Sequence, residues 1–248
     1  MRKLYYYIFH IISILLILVL FYFLKPKISE NFEDATVYLF WTGGYDSTYR
    51  LCELLLIEKK KVQPIYVTYN LDSEKQDDFW VRKNRQNEIN SMNEIINILF
   101  IRYPYVKKLL NSTLFIENNI DNLDYDKEFV ELNLWPKKRK IHQYSHLGKI
   151  SYHLKIPLEL GLLGIDGGKP FILFINKHID EKGRLKVSKS HPLYYFKFPL
   201  FKRTKKELCD TAKKYNFDDI MRKSWSCWFP KNNEPCKKCP MCRQRFKC

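Results

Sequence analysis

The stretch Thr36-Val37-Tyr38-Leu39-Phe40-Trp41-Thr42-Gly43-Gly44-Tyr45-Asp46-Ser47 decides how this chain is read. Thr36–Phe40 is a short apolar run of β-branched and aromatic residues, the composition of a strand buried on both faces. Gly43-Gly44 ends it with two residues that lack a Cβ, so backbone N–H groups can come close to an anion. Asp46, Ser47 and Thr48 offer capping side chains, and Tyr49–Glu58 reads as a helix whose positive N-terminus points at the same anion. Strand, glycine turn and helix in that order predict a phosphate site. It is not the Walker loop, because no lysine follows Gly44; Gly168-Lys169 fails as well, with Leu163 where the first glycine belongs and Pro170 after the lysine.

Outward from this stretch, Val62–Tyr69 reads as a second strand, completing a β-α-β unit with a right-handed crossover. Asp77–Ile101 is helical in character, with Met92, Ile95, Ile96 and Leu99 spaced along one face. A strand fits Thr113–Glu117, and Ile150–Leu163 reads as a helix ending at Gly161 or Gly164. Asp166-Gly167-Gly168 is a turn, Pro170–Ile175 the clearest later strand, and Tyr194–Leu200 another. Thr204-Lys205-Lys206-Glu207 is a capping box opening a helix over Glu207–Tyr215. Strands alternating with helices predict an α/β fold: a Rossmann-like parallel sheet with helices on both faces and its ligand at the carboxyl ends of the strands.

The chain of 248 residues carries a net charge of +16 with 46% hydrophobic residues, enough for one core and a small appendage. Such a charge suits nucleic acid or an anionic surface, although abundant Lys, Ile, Asn, Tyr and Phe also reflect a compositional bias. Leu4–Leu24 is a run of 21 residues broken only by His10 and Ser13, about the length of a membrane-spanning helix. The bulky Phe21-Tyr22-Phe23-Leu24 exit argues against a cleaved signal peptide, so the expectation is a single-pass membrane anchor with the remaining domain facing the cytosol. The expected division is 1–30 for anchor and tether, 31–220 for the nucleotide-binding domain and 221–248 for a cysteine tail.

That tail holds Cys227, Cys236, Cys239 and Cys242 in a C-x8-C-x2-C-x2-C spacing. Four thiolates suit a closed tetrahedral Zn²⁺ site, with no open position and hence a structural role. Lys237, Lys238, Arg243, Arg245 and Lys247 would offset the negative charge of such a centre. Cys52 and Cys209 sit among apolar residues and read as core; Cys248 has no assigned role. His142 and His146 lie four apart, but Gln143 stands where a zinc protease has Glu, so they read as a solvated helix face. Trp41 and Tyr45 either stack on a bound base or simply pack, and Trp225 and Trp228 read as wedges between tail and domain.

The Thr42–Ser47 segment resembles the S-G-G-x-D-S loop of the ATP pyrophosphatases, the PP-loop family, with Thr42 in place of the first Ser. The resemblance implies that Phe40 to Thr48 (Phe40, Trp41, Thr42, Gly43, Gly44, Tyr45, Asp46, Ser47, Thr48) hold ATP. Asp46 and Ser47 are then catalytic: Asp46 either holds Mg²⁺ or caps the helix, and Ser47 stabilises the departing pyrophosphate. Further on, Thr204–Glu207, Ser224-Trp225-Ser226-Cys227-Trp228, Pro235-Cys236-Lys237-Lys238-Cys239 and Cys242-Arg243-Gln244-Arg245 look like the C-terminal third of the 7-cyano-7-deazaguanine synthase family. That family adenylylates the carboxylate of 7-carboxy-7-deazaguanine, lets ammonia displace AMP, and uses a second ATP to dehydrate the amide to a nitrile.

The resemblance covers roughly residues 35–69 and 196–245. Between them Tyr69-Asn70-Leu71-Asp72 replaces the family's Asp-Tyr-Gly-Gln, and His146-Leu147-Gly148-Lys149 only distantly echoes its Gly-Arg-Asn segment. The expected partners are therefore ATP, a small carboxylate, ammonia and the membrane, with nucleic acid and a homodimer as further options. Two alternatives stand beside this ligase: a PP-loop enzyme acting on tRNA, and a non-enzymatic membrane-tethered zinc module.

Overall fold

The computed structural model describes residues 36–69, 84–118, 143–164, 170–191 and 193–243. Outside them lie the Leu4–Leu24 anchor, the tether, the start of the 77–101 helix, the segment after Tyr69, His142, the Asp166–Gly168 turn and the residues beyond Arg243.

Five parallel strands form one sheet in the order β3-β2-β1-β4-β5. They are β1 (Val37–Phe40), β2 (Val62–Tyr69), β3 (Leu114–Asn118), β4 (Leu158–Leu160) and β5 (Phe196–Lys197). The helices are α1 (Tyr45–Cys52, widening into a π turn over Glu53–Ile57), α2 (Arg85–Arg102), α3 (Gln143–Leu154), α4 (Pro170–His178), α5 (Lys205–Lys214), α6 (Asp218–Arg222) and the short α7 (Pro240–Arg243). The first strand is central, and the chain winds outward from it first to one side and then to the other. Such a reversal leaves a crevice between β1 and β4 at the carboxyl ends of the strands.

Two cores flank this sheet, divided by the two-residue period of its strands. Leu39, Val62 and Tyr66 point into a core built with Tyr49, Leu51, Leu54 and Leu55 of the α1 segment, Met92, Ile95 and Leu99 of α2, and Leu208, Phe217 and Ile220. Phe40, Ile65, Val67, Leu158 and Leu160 point the other way, against Phe171, Ile172 and Ile175 of α4 and Phe196 and Phe198. Helices on both faces are what the alternating pattern predicted.

Several elements differ from expectation. Pro170–Ile175 is not a strand but the start of α4: Phe171, Ile172 and Ile175 are buried while Leu173 is 54% exposed, a helical spacing. Pro170 sits in the first turn, where its missing N–H is not needed. The helix expected over Ile150–Leu163 stops at Leu154, because the residue before Pro157 is pushed out of helical geometry. The three residues that follow become β4, buried throughout and paired to β1 through Tyr38–Leu158 and Phe40–Leu160. The Tyr194–Leu200 strand shortens to β5. Thr204 and Glu207 do form the capping box, the Glu207 N–H donating to Thr204 Oγ1 at 3.2 Å.

The membrane-anchored localisation is also corrected: among the described residues no helix is long and apolar enough to cross a membrane. Leu4–Leu24, on which that expectation rested, lies outside those residues.

Candidate functional site

The ladder between β1 and β2 ends at Trp41, whose N–H donates to Ile65 O at 3.0 Å. The chain then turns, with Gly43 in the left-handed region at φ 67° that residues with a Cβ rarely adopt. Gly44 is extended at φ −71° and ψ 159° and stands at the N-cap of α1; its carbonyl accepts the first helical bond from the Thr48 N–H at 2.9 Å. The helix therefore starts four residues before the expected Tyr49. Asp46 lies inside its first turn and is not its cap, and no side chain caps the helix.

Burial sorts the loop. The side chains of Phe40, Trp41 and Thr48 are in the core, Trp41 Nε1 donating to Thr48 Oγ1 at 3.1 Å across the turn. Tyr45 is buried too, which pushes its hydroxyl up to about 12 with Asp46 adding to the effect. It stays protonated at neutral pH. Thr42, Gly44, Asp46 and Ser47 are half-exposed. A Cβ built on Gly44 would lie 3.4 Å from Thr42 Oγ1 and 3.8 Å from Ser47 Oγ, so two hydroxyls flank the glycine at the helix N-terminus. First-turn N–H groups of a helix have no carbonyl of their own helix to bond, and their partial positive charge favours an anion.

Distant elements brace this loop. Gly161, just past β4, approaches so closely that a Cβ there would sit 2.8 Å from both Ser47 N and Ser47 Cα. On the other side, a Cβ on Gly43 would meet Glu88 O and Met92 Cγ at 3.1 Å and Ser91 Oγ at 3.3 Å, all from α2. Glu88 is buried and accepts from Tyr66 Oη at 2.7 Å and from Asn84 Nδ2 at 2.9 Å. The far half of α1 is tied to β4: buried Arg50 donates through Nε to Glu159 Oε2 at 2.7 Å and also pairs with Glu53 and Glu58. Burial works against the Arg50 charge, but Glu159, Glu58 and Glu53 outweigh it and hold its pKa above the usual arginine range.

Asn84, Glu88 and Ser91 were not singled out from the sequence, and Gly161 was read only as a possible helix end. A signal existed for three of them: continuing the Met92, Ile95, Leu99 stripe backward along α2 passes through Ser91, Glu88 and Asn84. A buried helix face ending in polar side chains needs partners beyond the helix.

The four cysteines of the tail converge. Their Sγ atoms all lie within 4.8 Å of one another, with Cys227 and Cys239 buried and Cys236 and Cys242 half-exposed. Between the first two, Lys231 and Glu234 exchange backbone bonds of 3.0 and 2.9 Å around left-handed Asn232 and Asn233, a tight hairpin that returns the chain to the cluster. Left-handed Lys237 then directs backbone N–H groups back at sulfur: those of Lys238 and Cys239 hold the Cys236 thiol down to about 6. Cys236 Sγ and Cys242 Sγ are 3.9 Å apart. Thiolates about 2.3 Å from one tetrahedral ion stand about 3.8 Å from each other, so the donor set fits a single metal.

Loop and tail meet. The Trp225 N–H donates to Gly43 O at 2.8 Å, and Trp225 Nε1 donates to Cys227 O at 2.8 Å. Cys52 and Cys209 are buried, as their apolar neighbours predicted.

Residues 169–248, about a third of the chain, match the family model described as Queuosine biosynthesis protein QueC. No curated protein matches the chain. Among solved structures it is similar to the U34-tRNA thiolase NcsA from Methanococcus maripaludis with its 4Fe-4S cluster, at 14% identity and a TM-score of 0.39. That similarity covers 85% of this chain and 63% of the thiolase chain, so the chain spans just under two thirds of the thiolase's length.

Proposed function

We propose that this protein is an ATP-dependent ligase that adenylylates a substrate carboxylate, releases pyrophosphate, and uses ammonia to form an amide and then a nitrile. The favoured substrate is 7-carboxy-7-deazaguanine and the product 7-cyano-7-deazaguanine. The observation that carries this reading is the meeting of a glycine turn at a helix N-terminus with the four-cysteine tail, which lies in the segment matching the queuosine family model, through the bond from Trp225 N to Gly43 O.

In this reading a carboxylate oxygen attacks the α-phosphorus of ATP, and the bond to the β-phosphate breaks. The leaving pyrophosphate gathers negative charge, which the first-turn amides of α1 and the Thr42 and Ser47 hydroxyls stabilise. Ammonia adds to the acyl carbon, AMP leaves and a proton is shed. A second ATP activates the amide oxygen in the same way, so that loss of AMP and a proton yields the nitrile. Asp46 would repel phosphate and is better placed to hold Mg²⁺, which would offset the negative charge of the phosphates. Cys227, Cys236, Cys239 and Cys242 would hold Zn²⁺, and four thiolates would leave it no open position, so its role would be structural. A four-iron cluster is larger than one ion and would spread its thiolates beyond the 4.8 Å that encloses these sulfurs.

Purified full-length chain given ATP, ammonia and 7-carboxy-7-deazaguanine should release AMP and pyrophosphate, and Asp46→Ala should abolish the release while the circular dichroism of the fold persists. Release of ADP, or none, overturns the reading. The net charge of +16 favours a second reading, a tRNA-modifying enzyme of the same loop type. AMP release that depends on tRNA and ignores the deazapurine would select it.

A further inference from the structure

The loop and the metal centre share more than one bond. Residues 223–227 run along the N-terminal half of α2 and past the glycines, giving a polar contact at every second residue. Lys223 O accepts from Ser91 Oγ at 2.6 Å, Trp225 N–H donates to Gly43 O at 2.8 Å, and Cys227 O accepts from Asn84 Nδ2 at 2.9 Å. Asn84 is 1% exposed, and its amide nitrogen also donates to Glu88 Oε1 at 2.9 Å. Both hydrogens of one buried amide are therefore committed, one to the residue that carries a metal-ligating sulfur and one to the residue whose backbone carbonyl confines Gly43.

These contacts close a ring: Gly43 against Glu88, Glu88 to Asn84, Asn84 to Cys227, and back through Trp225 to Gly43. Gly43 takes φ 67° without penalty because it lacks a Cβ, but a residue that free is not fixed locally, so the turn depends on its surroundings to stay in one conformation. Cys227 is fixed only as firmly as the cluster it belongs to, because a tail this short has little apolar core of its own.

We propose that Asn84 is a positioning residue that ties metal occupancy at Cys227, Cys236, Cys239 and Cys242 to the backbone geometry of Thr42–Ser47. With metal bound, Cys227 O is held where Asn84 meets it and the carboxylate of Glu88 together, and α2 keeps Gly43 in its turn. With metal removed, that carbonyl is released, Asn84 loses one of its two acceptors, and the turn loosens. The inference rests on the metal reading of the tail and not on the nucleotide reading of the loop.

The test uses full-length protein without nucleotide, zinc-loaded or stripped by a chelator, with metal content measured in each sample. Amide hydrogen exchange is followed in peptides covering Thr42–Ser47 and, as an internal reference for global opening, Val62–Val67. In the wild type, stripping should speed exchange at Thr42–Ser47 by about three- to tenfold, the factor given by one lost hydrogen bond, and leave β2 unchanged. Zinc-loaded Asn84→Ala should already exchange at the faster rate with its metal content intact, and added zinc should not slow it. A wild-type loop indifferent to zinc, or an Asn84→Ala loop that keeps the whole zinc-dependent protection, overturns the proposal. Should stripping open β2 as well, the zinc-loaded variant decides alone: fast exchange at Thr42–Ser47 supports the coupling and a wild-type rate ends it. A chain that folds but takes up no zinc removes the premise, and the metal analysis reports that outcome separately.

Discussion

The Thr42–Ser47 loop and the Cys227–Cys242 tail are built on opposite plans. The tail concentrates its chemistry in four side chains at fixed spacing, and a short hairpin and one left-handed residue suffice to gather them. The loop has almost no chemistry of its own. Its capacity lies in backbone N–H groups, two hydroxyls and a helix end, and their arrangement is imposed by β4, α2 and the 223–227 segment. A site made of side chains can be moved as a unit, whereas a site made of backbone is only as good as its braces. Damage to the braces should therefore impair the loop and spare the metal.

The largest effect should come from the buried ion pair. Arg50 and Glu159 are both buried and joined at 2.7 Å, and this pair registers α1 on β4. Arg50→Met strands Glu159 in the interior, for which a loss of about 3–5 kcal/mol of stability is expected by denaturant titration. The double variant Arg50→Met with Glu159→Leu should recover much of that loss, since a packed apolar pair replaces an ionic one. Zinc content should be unchanged in both, and a tail that empties along with α1 would erase the contrast between the two regions.

Next come the glycines. Gly161→Ala places a methyl 2.8 Å from the backbone of Ser47, which cannot rotate away as a side chain would. Overpacking of this kind costs about 1–3 kcal/mol, and a shift of the α1 first turn should lower AMP release by about a hundredfold. Gly44→Ala is the sharpening control. Its φ of −71° suits alanine and its nearest neighbour, Thr42 Oγ1, is at ordinary contact distance, 3.4 Å. Stability should stay within about 0.5 kcal/mol of wild type, while under the proposed function the methyl between the two hydroxyls should weaken ATP binding. Equal stability losses in the two variants would refute the distinction between a brace and a binding surface.

The same division explains what could be read from the sequence. β1, the Gly-Gly turn, β2 and the cysteine cluster carry local signatures, and each lies where the residues placed it. Pro170–Ile175 did not reveal itself, because a short continuous apolar run has no period to separate a buried helix from a buried strand, and Leu158-Glu159-Leu160 is too short to show one. Only the packing of Leu173 outward and of Glu159 onto Arg50 settles them. The start of α1 was misplaced for a related reason: Asp, Ser and Thr look like caps, yet Gly44 takes that role. The stripe of α2 pointed to Asn84 and Glu88 as buried, but not to what they meet, and Gly161 gave no sign of its approach to Ser47, because Cys227 and Ser47 stand far along the chain.

The smallest effect is a pH dependence that separates carboxylate from thiolate. Burial opposes the Glu58 charge, but Arg50 and Lys60 outweigh it and hold its carboxyl below the usual glutamate range, Lys60 Nζ lying 2.8 Å away. A depressed carboxyl contributes stability that is fully present above its unfolded pKa of about 4.3 and is lost as pH falls through the lower folded value. The contribution is at most about 1 kcal/mol, because Glu58 is partly exposed and its pairs are screened. Unfolding midpoints followed from pH 6 to pH 3 should therefore fall less steeply for Glu58→Gln than for wild type. Metal release over the same range should be identical in the two, since protonation of the cysteine thiolates drives it and Glu58 braces only the helix behind the loop. A change in the pH of metal release in Glu58→Gln would show that the two regions share one acid-sensitive support.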